Sequence, residues 1–123
     1  MPNLQGRHIL VVEDEALVAM LLEDALTDAG YTVLGPANSV AQALALLQHS
    51  RPEAAVLDLN LAGETSEPIA DALAALGVPF LVATGYGADG LPAGHRGALV
   101  LAKPYDPIEL TTALARLCQR GGA

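Results

Sequence analysis

Polar residues that could bind a cation and a phosphoryl group stand directly after four short apolar runs of the chain. In chain order they are Glu13-Asp14, Asp58, Thr84 and Lys103-Pro104. Short apolar runs separated by helix-like stretches are typical of buried parallel strands. In such sheets the ligand crevice lies beyond the carboxyl ends of the strands. The three carboxylates, the hydroxyl and the ammonium are therefore expected to meet in one pocket.

The acidic members of this set favour a magnesium ion. Adjacent acids such as Glu13 and Asp14 repel each other in a pocket unless a cation or hydrogen-bond donors compensate. Mg²⁺ suits them, because it takes one or two carboxylates and retains several waters. Asp58 is a third carboxylate, and the backbone carbonyl of Asn60 could add another oxygen. Since neither Cys nor His stands at these predicted strand ends, zinc and copper are not expected.

The same residues are suited to phosphoryl transfer. A cation that neutralises the acids allows Asp58 to act as a nucleophile, and carboxylates form acyl phosphates. A phosphoryl group in transfer needs its equatorial oxygens neutralised by metal and cations. Lys103 supplies a flexible positive charge for this purpose, and the Thr84 hydroxyl can donate to a phosphoryl oxygen.

The elements that must position these residues alternate between strand and helix. The predicted strands are His8–Glu13, Tyr31–Gly35, Ala54–Leu59, Val78–Ala83 and Ala98–Ala102. The predicted helices are Glu15–Ala29, a segment from Asn38 to about His49, Ser66–Leu76, and a last helix that begins at Asp106-Pro107-Ile108-Glu109. This (βα)5 alternation predicts an α/β, flavodoxin-like, doubly wound parallel sheet with strand order 2-1-3-4-5.

Local patterns make more detailed predictions. In the first helix Leu17, Leu21 and Ala25 are spaced i, i+4 and i+8, which predicts that they form its apolar stripe. The Gly35-Pro36 pair is expected to end the second strand. Asn38 is expected to cap the second helix.

The segment Gly85–Gly97 contains too many glycines and prolines for a stable helix. The fourth helix of the alternation is therefore expected to be shortened or irregular.

Composition limits the class of protein. With 123 residues, 52% of them hydrophobic, the chain is expected to form a single domain, 1–123, with a core at about 8–119 and without an output domain. The net charge of −8 and the scattered basic residues argue against nucleic-acid and membrane surfaces. Cys118 is the single cysteine, and neither a signal sequence nor a membrane span is evident, so a cytoplasmic location is expected.

Glu13-Asp14, Asp58, Thr84 and Lys103-Pro104, in this order and each at a predicted strand end, resemble the receiver domain of two-component response regulators. The resemblance covers nearly the whole chain. It implies that Asp58 accepts a phosphoryl group from the phosphohistidine of a histidine kinase or a histidine phosphotransfer protein.

The resemblance also implies a role for each of the other residues of the set. Asp14 and Asp58 would bind Mg²⁺ with the Asn60 carbonyl, and Glu13 would act through a water. Thr84 and Lys103 would contact the phosphoryl group, and the Lys103–Pro104 bond would be cis, since X-Pro is the context in which cis is cheap. The protein would signal through a downstream protein target or a phosphorelay, with self-phosphorylation and self-dephosphorylation as its only chemistry.

Two features depart from the common receiver pattern. Val100 stands where the family usually carries an aromatic switch residue, three positions before the lysine, and the glycine-rich segment replaces a full fourth helix. Both features, together with Ala83-Thr84-Gly85-Tyr86-Gly87, are similar to the receiver subgroup nicknamed "FAT GUY", although Val82 occupies the motif's Phe position. We hypothesise that switching orders the segment Gly85–Gly97, with Tyr86, Gly85 and Gly87 as switch candidates.

Two other functions are compatible with an acidic strand-end pocket. A phosphohydrolase of the haloacid-dehalogenase type also uses an aspartate nucleophile, but its Asp-x-Asp pair is absent from Asp58-Leu59-Asn60. A degenerate receiver would act only as a binding scaffold. The complete acid set, Thr84 and Lys103 argue against that alternative.

Overall fold

A five-stranded parallel sheet lies at the centre of the computed structural model, which describes residues 7–61, 63–84, 99–102 and 106–121. The strands are β1 (His8–Val12), β2 (Thr32–Ala37), β3 (Ala54–Asp58), β4 (Asn60–Leu61), β5 (Glu64–Thr65), β6 (Phe80–Thr84) and β7 (Leu99–Ala102). The helices are α1 (Ala16–Asp28), α2 (Val40–His49), α3 (Glu67–Leu76) and α4 (Pro107–Gly121). The sheet order is β2-β1-β3-β6-β7, and all its neighbouring pairs are parallel. This is the predicted flavodoxin-like fold, to which the short antiparallel hairpin β4–β5 is added.

Helices cover both faces of the sheet, which explains why its central strands are apolar throughout. Successive side chains of a strand point to opposite faces, and in β1 both sets are fully buried from Ile9 to Val12. Ile9 and Val11 belong to one core cluster with residues of α1 and α4. Leu10 and Val12 belong to a second cluster with residues of α2 and α3. Burial on both sides leaves polar groups at the ends of the strands.

Helix α1 turns a different face to the sheet from the one expected. The prediction that Leu17 and Leu21 lie in its buried stripe is wrong, because these side chains are 64% and 59% exposed. Ala25 is partly buried against the core. The buried residues of α1 are Ala19, Leu22 and Leu26. These three are spaced i, i+3 and i+7, an equally regular helical pattern.

Strand β2 continues through the Gly35–Pro36 pair, so the prediction that this pair ends the strand is wrong. The bond between the two residues is cis, and Gly35 has φ +98. β2 is an edge strand, and a proline is tolerated at an edge because its missing N–H removes no bond from the interior of the sheet. A Cβ on Gly35 would lie 2.7 Å from the Ala37 nitrogen and 3.1 Å from the Val11 oxygen, so glycine is required there.

Ser39, rather than Asn38, is the N-cap of α2. The Ser39 Oγ accepts a hydrogen bond from the Gln42 N–H at 3.1 Å. In return, the Gln42 Oε1 accepts from the Asn38 N–H at 2.9 Å. The expected cap is displaced by one residue, because the serine followed three positions later by glutamine forms a reciprocal arrangement close to a capping box.

The ends of the later helices agree with expectation. Helix α3 ends at Gly77, which has φ +73. Helix α4 begins after Asp106, whose Oδ1 accepts from the Ile108 N–H at 2.9 Å. The apolar stripe of α4 consists of Leu110, Leu114, Leu117 and Cys118, which are all buried.

The predicted irregular fourth helix falls in 85–98, outside the described residues. Among the helices that the structure describes, none combines the length and apolar character needed to cross a membrane.

Candidate functional site

Three carboxylates meet at the carboxyl ends of β1 and β3. The two strands are neighbours with Val12 opposite Leu57, so the acids that follow them come to lie side by side. Glu13, Asp14 and Asp58 each offer a carboxylate oxygen, and these oxygens lie within 4.8 Å of one another. The side chains of Glu13 and Asp58 are only 1% and 5% exposed, and Asp14 is half-buried.

Glu13 is held at the start of α1 by its backbone and its side chain. Its N–H donates to the Ala37 carbonyl at 2.9 Å, which continues the pairing of β1 with β2. Its Oε2 accepts from the N–H of Glu15, the N-cap residue of α1, at 3.2 Å. A carboxylate at a helix N-terminus is stabilised by the helix dipole, which offsets part of the cost of its burial.

Asp58 is the last residue of β3, which lies between β1 and β6 in the sheet. Its Cα lies opposite that of Ala83, and the Leu59 N–H donates to the Ala83 carbonyl at 3.1 Å. Strand pairing therefore continues one residue beyond the carboxylate. A side chain on such a rigid element is placed more accurately than one on a loop.

The remaining predicted residues are described to different extents. The backbone of Thr84 ends β6 and lies opposite Ala102, and the backbone of Asn60 begins β4. The residues outside the described parts of the chain are Lys103, Pro104, Tyr86, Gly85 and Gly87. The structure thus brings together the three acids, and it places the Thr84 backbone one residue beyond the partner of Asp58.

The chemistry of this donor set fits a hard cation. Like charges about 4 Å apart interact with roughly 4 kcal/mol at the effective dielectric of a protein surface, so three ionised acids strongly favour a positive ion among them. All three donors are carboxylates, which suit Mg²⁺ rather than a metal that prefers sulfur or imidazole. A cation held here would neutralise negative charge next to the Asp58 carboxylate.

Sequence reasoning missed the hairpin between Asp58 and α3. Its turn contains Gly63 with φ +91, a conformation that glycine adopts without strain. The lone glycine was a signal for this turn, but a weaker one than the Asn-Gly pairs typical of tight hairpins.

Ser66, at the end of this hairpin, is fully buried. Its N–H donates to the Leu59 carbonyl at 3.3 Å. Within the described residues its hydroxyl has no hydrogen-bond partner.

The fold of this chain is shared with the receiver domains of response regulators. The model of the response regulator receiver domain matches residues 9–115, and the chain therefore belongs to the response regulator receiver family. The phyllosphere-induced regulator PhyR of Methylorubrum extorquens is 32% identical over 114 residues, which cover 89% of this chain and 42% of PhyR. The transcriptional regulatory protein PdtaR of Mycobacterium tuberculosis is 28% identical over 112 residues, which cover 88% of this chain and 55% of PdtaR. The chain thus spans about half the length of these curated relatives.

Two solved structures agree with this family assignment, and this chain covers nearly their full length. A solution structure of SdrG from Sphingomonas melonis Fr1 matches with a TM-score of 0.80 and 44% identity, covering 95% of this chain and 98% of that one. The BeF3-activated conformation of SdrG matches with a TM-score of 0.78 and 43% identity, covering 96% of this chain and 99% of that one. Receiver domains of this kind are signalling domains of two-component systems.

Proposed function

We propose that the chain is a receiver that accepts a phosphoryl group on Asp58 in a Mg²⁺-dependent reaction. One observation carries this proposal: Asp58 is buried at the end of β3, and its carboxylate lies within 4.8 Å of those of Glu13 and Asp14. Burial protects an acyl phosphate from bulk water, and the neighbouring acids supply the cation site that the incoming group requires.

The transfer itself is a substitution at phosphorus. A carboxylate oxygen of Asp58 forms a bond to the phosphorus while the bond to the donor's imidazole nitrogen breaks. The imidazole nitrogen keeps the electron pair of that bond, and a proton carried by the other ring nitrogen of the phosphohistidine allows the ring to leave as neutral imidazole. Attack of water on the acyl phosphate later releases inorganic phosphate and restores the Asp58 carboxylate.

The chain's own residues would hold the metal and the phosphoryl oxygens. Asp14, Asp58 and the Asn60 backbone carbonyl would bind Mg²⁺, with Glu13 acting through a water. When bound, the ion supplies positive charge to the phosphoryl oxygens. Lys103 and the Thr84 hydroxyl would contact those oxygens, with Lys103 followed by a cis Pro104. The pairing of Thr84 with Ala102, the residue before Lys103, supports this arrangement.

The partners would be proteins. The donor would be a histidine kinase or a histidine phosphotransfer protein, and the phosphorylated receiver would bind a downstream protein or pass its phosphoryl group onward. Leu17, Met20 and Leu21 are more than half exposed on α1, directly after the acids. A donor must approach this end of the sheet to reach Asp58, and these side chains offer it an apolar surface to cover. We propose that the chain acts as a single receiver domain, which the nearly full-length match to SdrG supports.

Switching would follow the "FAT GUY" subgroup, to which we assign the chain on Ala83-Thr84-Gly85-Tyr86-Gly87. Val100 is an aliphatic residue on β7, so it cannot act as the turning aromatic ring. The segment Gly85–Gly97 would instead become ordered around Thr84 and Tyr86. Unchanged hydrogen exchange in this segment on addition of beryllofluoride and Mg²⁺ would contradict this route.

Intact-mass measurement after incubation with acetyl phosphate and Mg²⁺ tests the chemistry. The wild type is expected to gain one phosphoryl mass, and Asp58→Asn is expected to gain none. The control Asp24→Asn, which alters an exposed acid on α1, is expected to behave as the wild type. An absence of any adduct would favour the scaffold alternative, and turnover of a range of phosphate esters would favour the hydrolase.

A further inference from the structure

The hairpin β4–β5 connects Asp58 to α3, and its register is defined by three residue pairs. Asn60 lies opposite Thr65, and Leu61 lies opposite Glu64. The Ser66 N–H donates to the Leu59 carbonyl at 3.3 Å, so the antiparallel pairing extends one residue beyond the strands on each side.

This register determines the direction of the Asn60 backbone. In an antiparallel ladder, hydrogen-bonded pairs alternate with pairs whose N–H and C=O groups point away from each other. Because the Leu59–Ser66 pair is hydrogen-bonded, the neighbouring Asn60–Thr65 pair is of the second kind. The carbonyl of Asn60 therefore points away from Thr65.

The hairpin is anchored on the side of the chain that carries Asn60. Leu61 is fully buried in the core cluster that contains Ile69 and Ala70 of α3. The opposite strand and the turn, with Gly63 and Glu64, are exposed. Asn60 is thus held between a buried leucine and Leu59, whose N–H is bonded to Ala83.

We propose that this hairpin positions the Asn60 carbonyl for the cation that Asp14 and Asp58 would bind, with Glu13 acting through a water, and that Gly63 sets the register of the hairpin. The inference rests on the proposed function, since it concerns the same metal site. Asn60 is two residues from Asp58, so their Cα atoms lie within about 7 Å of each other. A carbonyl held ready by a hairpin binds a cation without the entropic cost of ordering a loop.

Gly63 is required for its backbone conformation and not for space. It has φ +91, and a Cβ built on it would meet no atom within 4 Å. Alanine at this position would be strained by the positive φ, and the chain can relieve this strain by abandoning the turn. Asparagine tolerates positive φ better than alanine, so it should preserve the turn.

Gly77 provides a matched control. It also has positive φ, and a Cβ there would make only an ordinary contact with the Arg51 guanidinium at 3.6 Å. It lies at the end of α3, so Gly77→Ala introduces comparable backbone strain without touching the hairpin. Its effect should be limited to the melting temperature.

Calorimetric titration with Mg²⁺ alone, combined with hydrogen exchange at the Ser66 amide, tests the inference. Gly63→Ala is expected to raise the Mg²⁺ dissociation constant by several-fold, up to about tenfold for 1.4 kcal/mol of strain, and to lower protection at Ser66. Gly63→Asn and Gly77→Ala are expected to stay close to the wild-type constant. An unchanged constant in Gly63→Ala, or an equal loss in Gly77→Ala, overturns the inference.

The two proposals fail in different ways. If the wild type neither binds Mg²⁺ nor forms the acetyl-phosphate adduct, the proposed function fails. If the wild type does both and Gly63→Ala binds Mg²⁺ equally well, the positioning role of the hairpin alone is refuted.

Discussion

Asp58 lies directly opposite Ala83 in the parallel ladder between β3 and β6, and the residue after it, Leu59, still donates its N–H to the Ala83 carbonyl. The proposed phosphoacceptor, Asp58, therefore lies within the paired part of β3 and not at a frayed strand end. Conformational change after phosphorylation must then begin beyond Leu59 on this side of the site. Among the elements that the structure describes, the hairpin β4–β5 is the nearest in which it can start.

Magnesium should stabilise the folded protein through its acids. A ligand that binds only the folded state raises the free energy of unfolding, by about 2.7 kcal/mol at one hundred times its dissociation constant. Asp14→Asn removes one carboxylate from the cluster, so we expect a smaller Mg²⁺-induced rise in melting temperature. Without Mg²⁺ the variant should melt at the same or a higher temperature, because repulsion is relieved. Melting curves followed by circular dichroism with and without Mg²⁺ measure both effects, and Asp24→Asn is the control. If Mg²⁺ raised the melting temperature of Asp14→Asn as much as that of the wild type, Asp14 would be excluded as a ligand.

The two serines at helix N-caps should respond oppositely to alanine. Ser39→Ala loses the bond to the Gln42 N–H and should lower the free energy of unfolding by about 1 kcal/mol. The Ser66 hydroxyl is buried without a hydrogen-bond partner within the described residues. Ser66→Ala should therefore leave the free energy of unfolding unchanged or raise it by about 1 kcal/mol. Urea denaturation compares the two variants, and equal destabilisation would mean that the Ser66 hydroxyl is bonded in solution.

Phosphotransfer from a protein donor should depend on the exposed face of α1. Labelling by a small donor such as acetyl phosphate should not depend on it. Leu21 is 59% exposed, so Leu21→Asp should leave the fold and the labelling by acetyl phosphate unchanged. Transfer from a histidine kinase should slow, because the donor must cover this face to reach Asp58. Phosphotransfer rates would be measured with the kinase that labels the wild type fastest among a purified panel. Leu76→Asp on α3 is the control, and an equal slowing in both variants would argue against a specific surface.

Tyr31 should make stability fall at alkaline pH. Burial raises the pKa of its phenol above 10.0, the nearby Cys118 adds to this effect, and Arg7 opposes it. The folded state retains the phenol proton of Tyr31 more strongly than the unfolded state does. The contribution of Tyr31 to the free energy of unfolding is therefore complete below pH 10 and is lost as the pH rises through the folded pKa. Tyr31→Phe should therefore show a flatter fall in melting temperature above pH 10. An identical pH profile in Tyr31→Phe would assign the alkaline loss to other groups.

The sheet and the acid cluster could be predicted because their signals are local and distinct. Each apolar run is short enough to form only a strand, and the parallel topology then brings the residues that follow β1 and β3 to the same edge. The meeting of Glu13, Asp14 and Asp58 is a consequence of strand order alone. No side-chain detail was needed to foresee it.

The face of α1 could not be predicted in the same way. Its first turns read Ala16-Leu17-Val18-Ala19-Met20-Leu21-Leu22, so almost any face is apolar at helical spacing. The choice of Leu22 over Leu21 depends on how the helix packs against the sheet and α4, which the periodicity does not encode. Similarly, Asn38 and Ser39 are both good caps, and the path of the chain out of β2 decides between them.

The two-residue period of the hairpin also restricts how this segment can change in length. One residue inserted into the strand between Leu59 and Gly63 would move Asn60 into a hydrogen-bonded position and turn its carbonyl into the ladder. A longer tip around Gly63 would leave the pairs at Leu59 and Asn60 unaltered. Insertions and deletions compatible with a working site should therefore be confined to that tip, and the number of residues from Asp58 to Leu61 should be invariant.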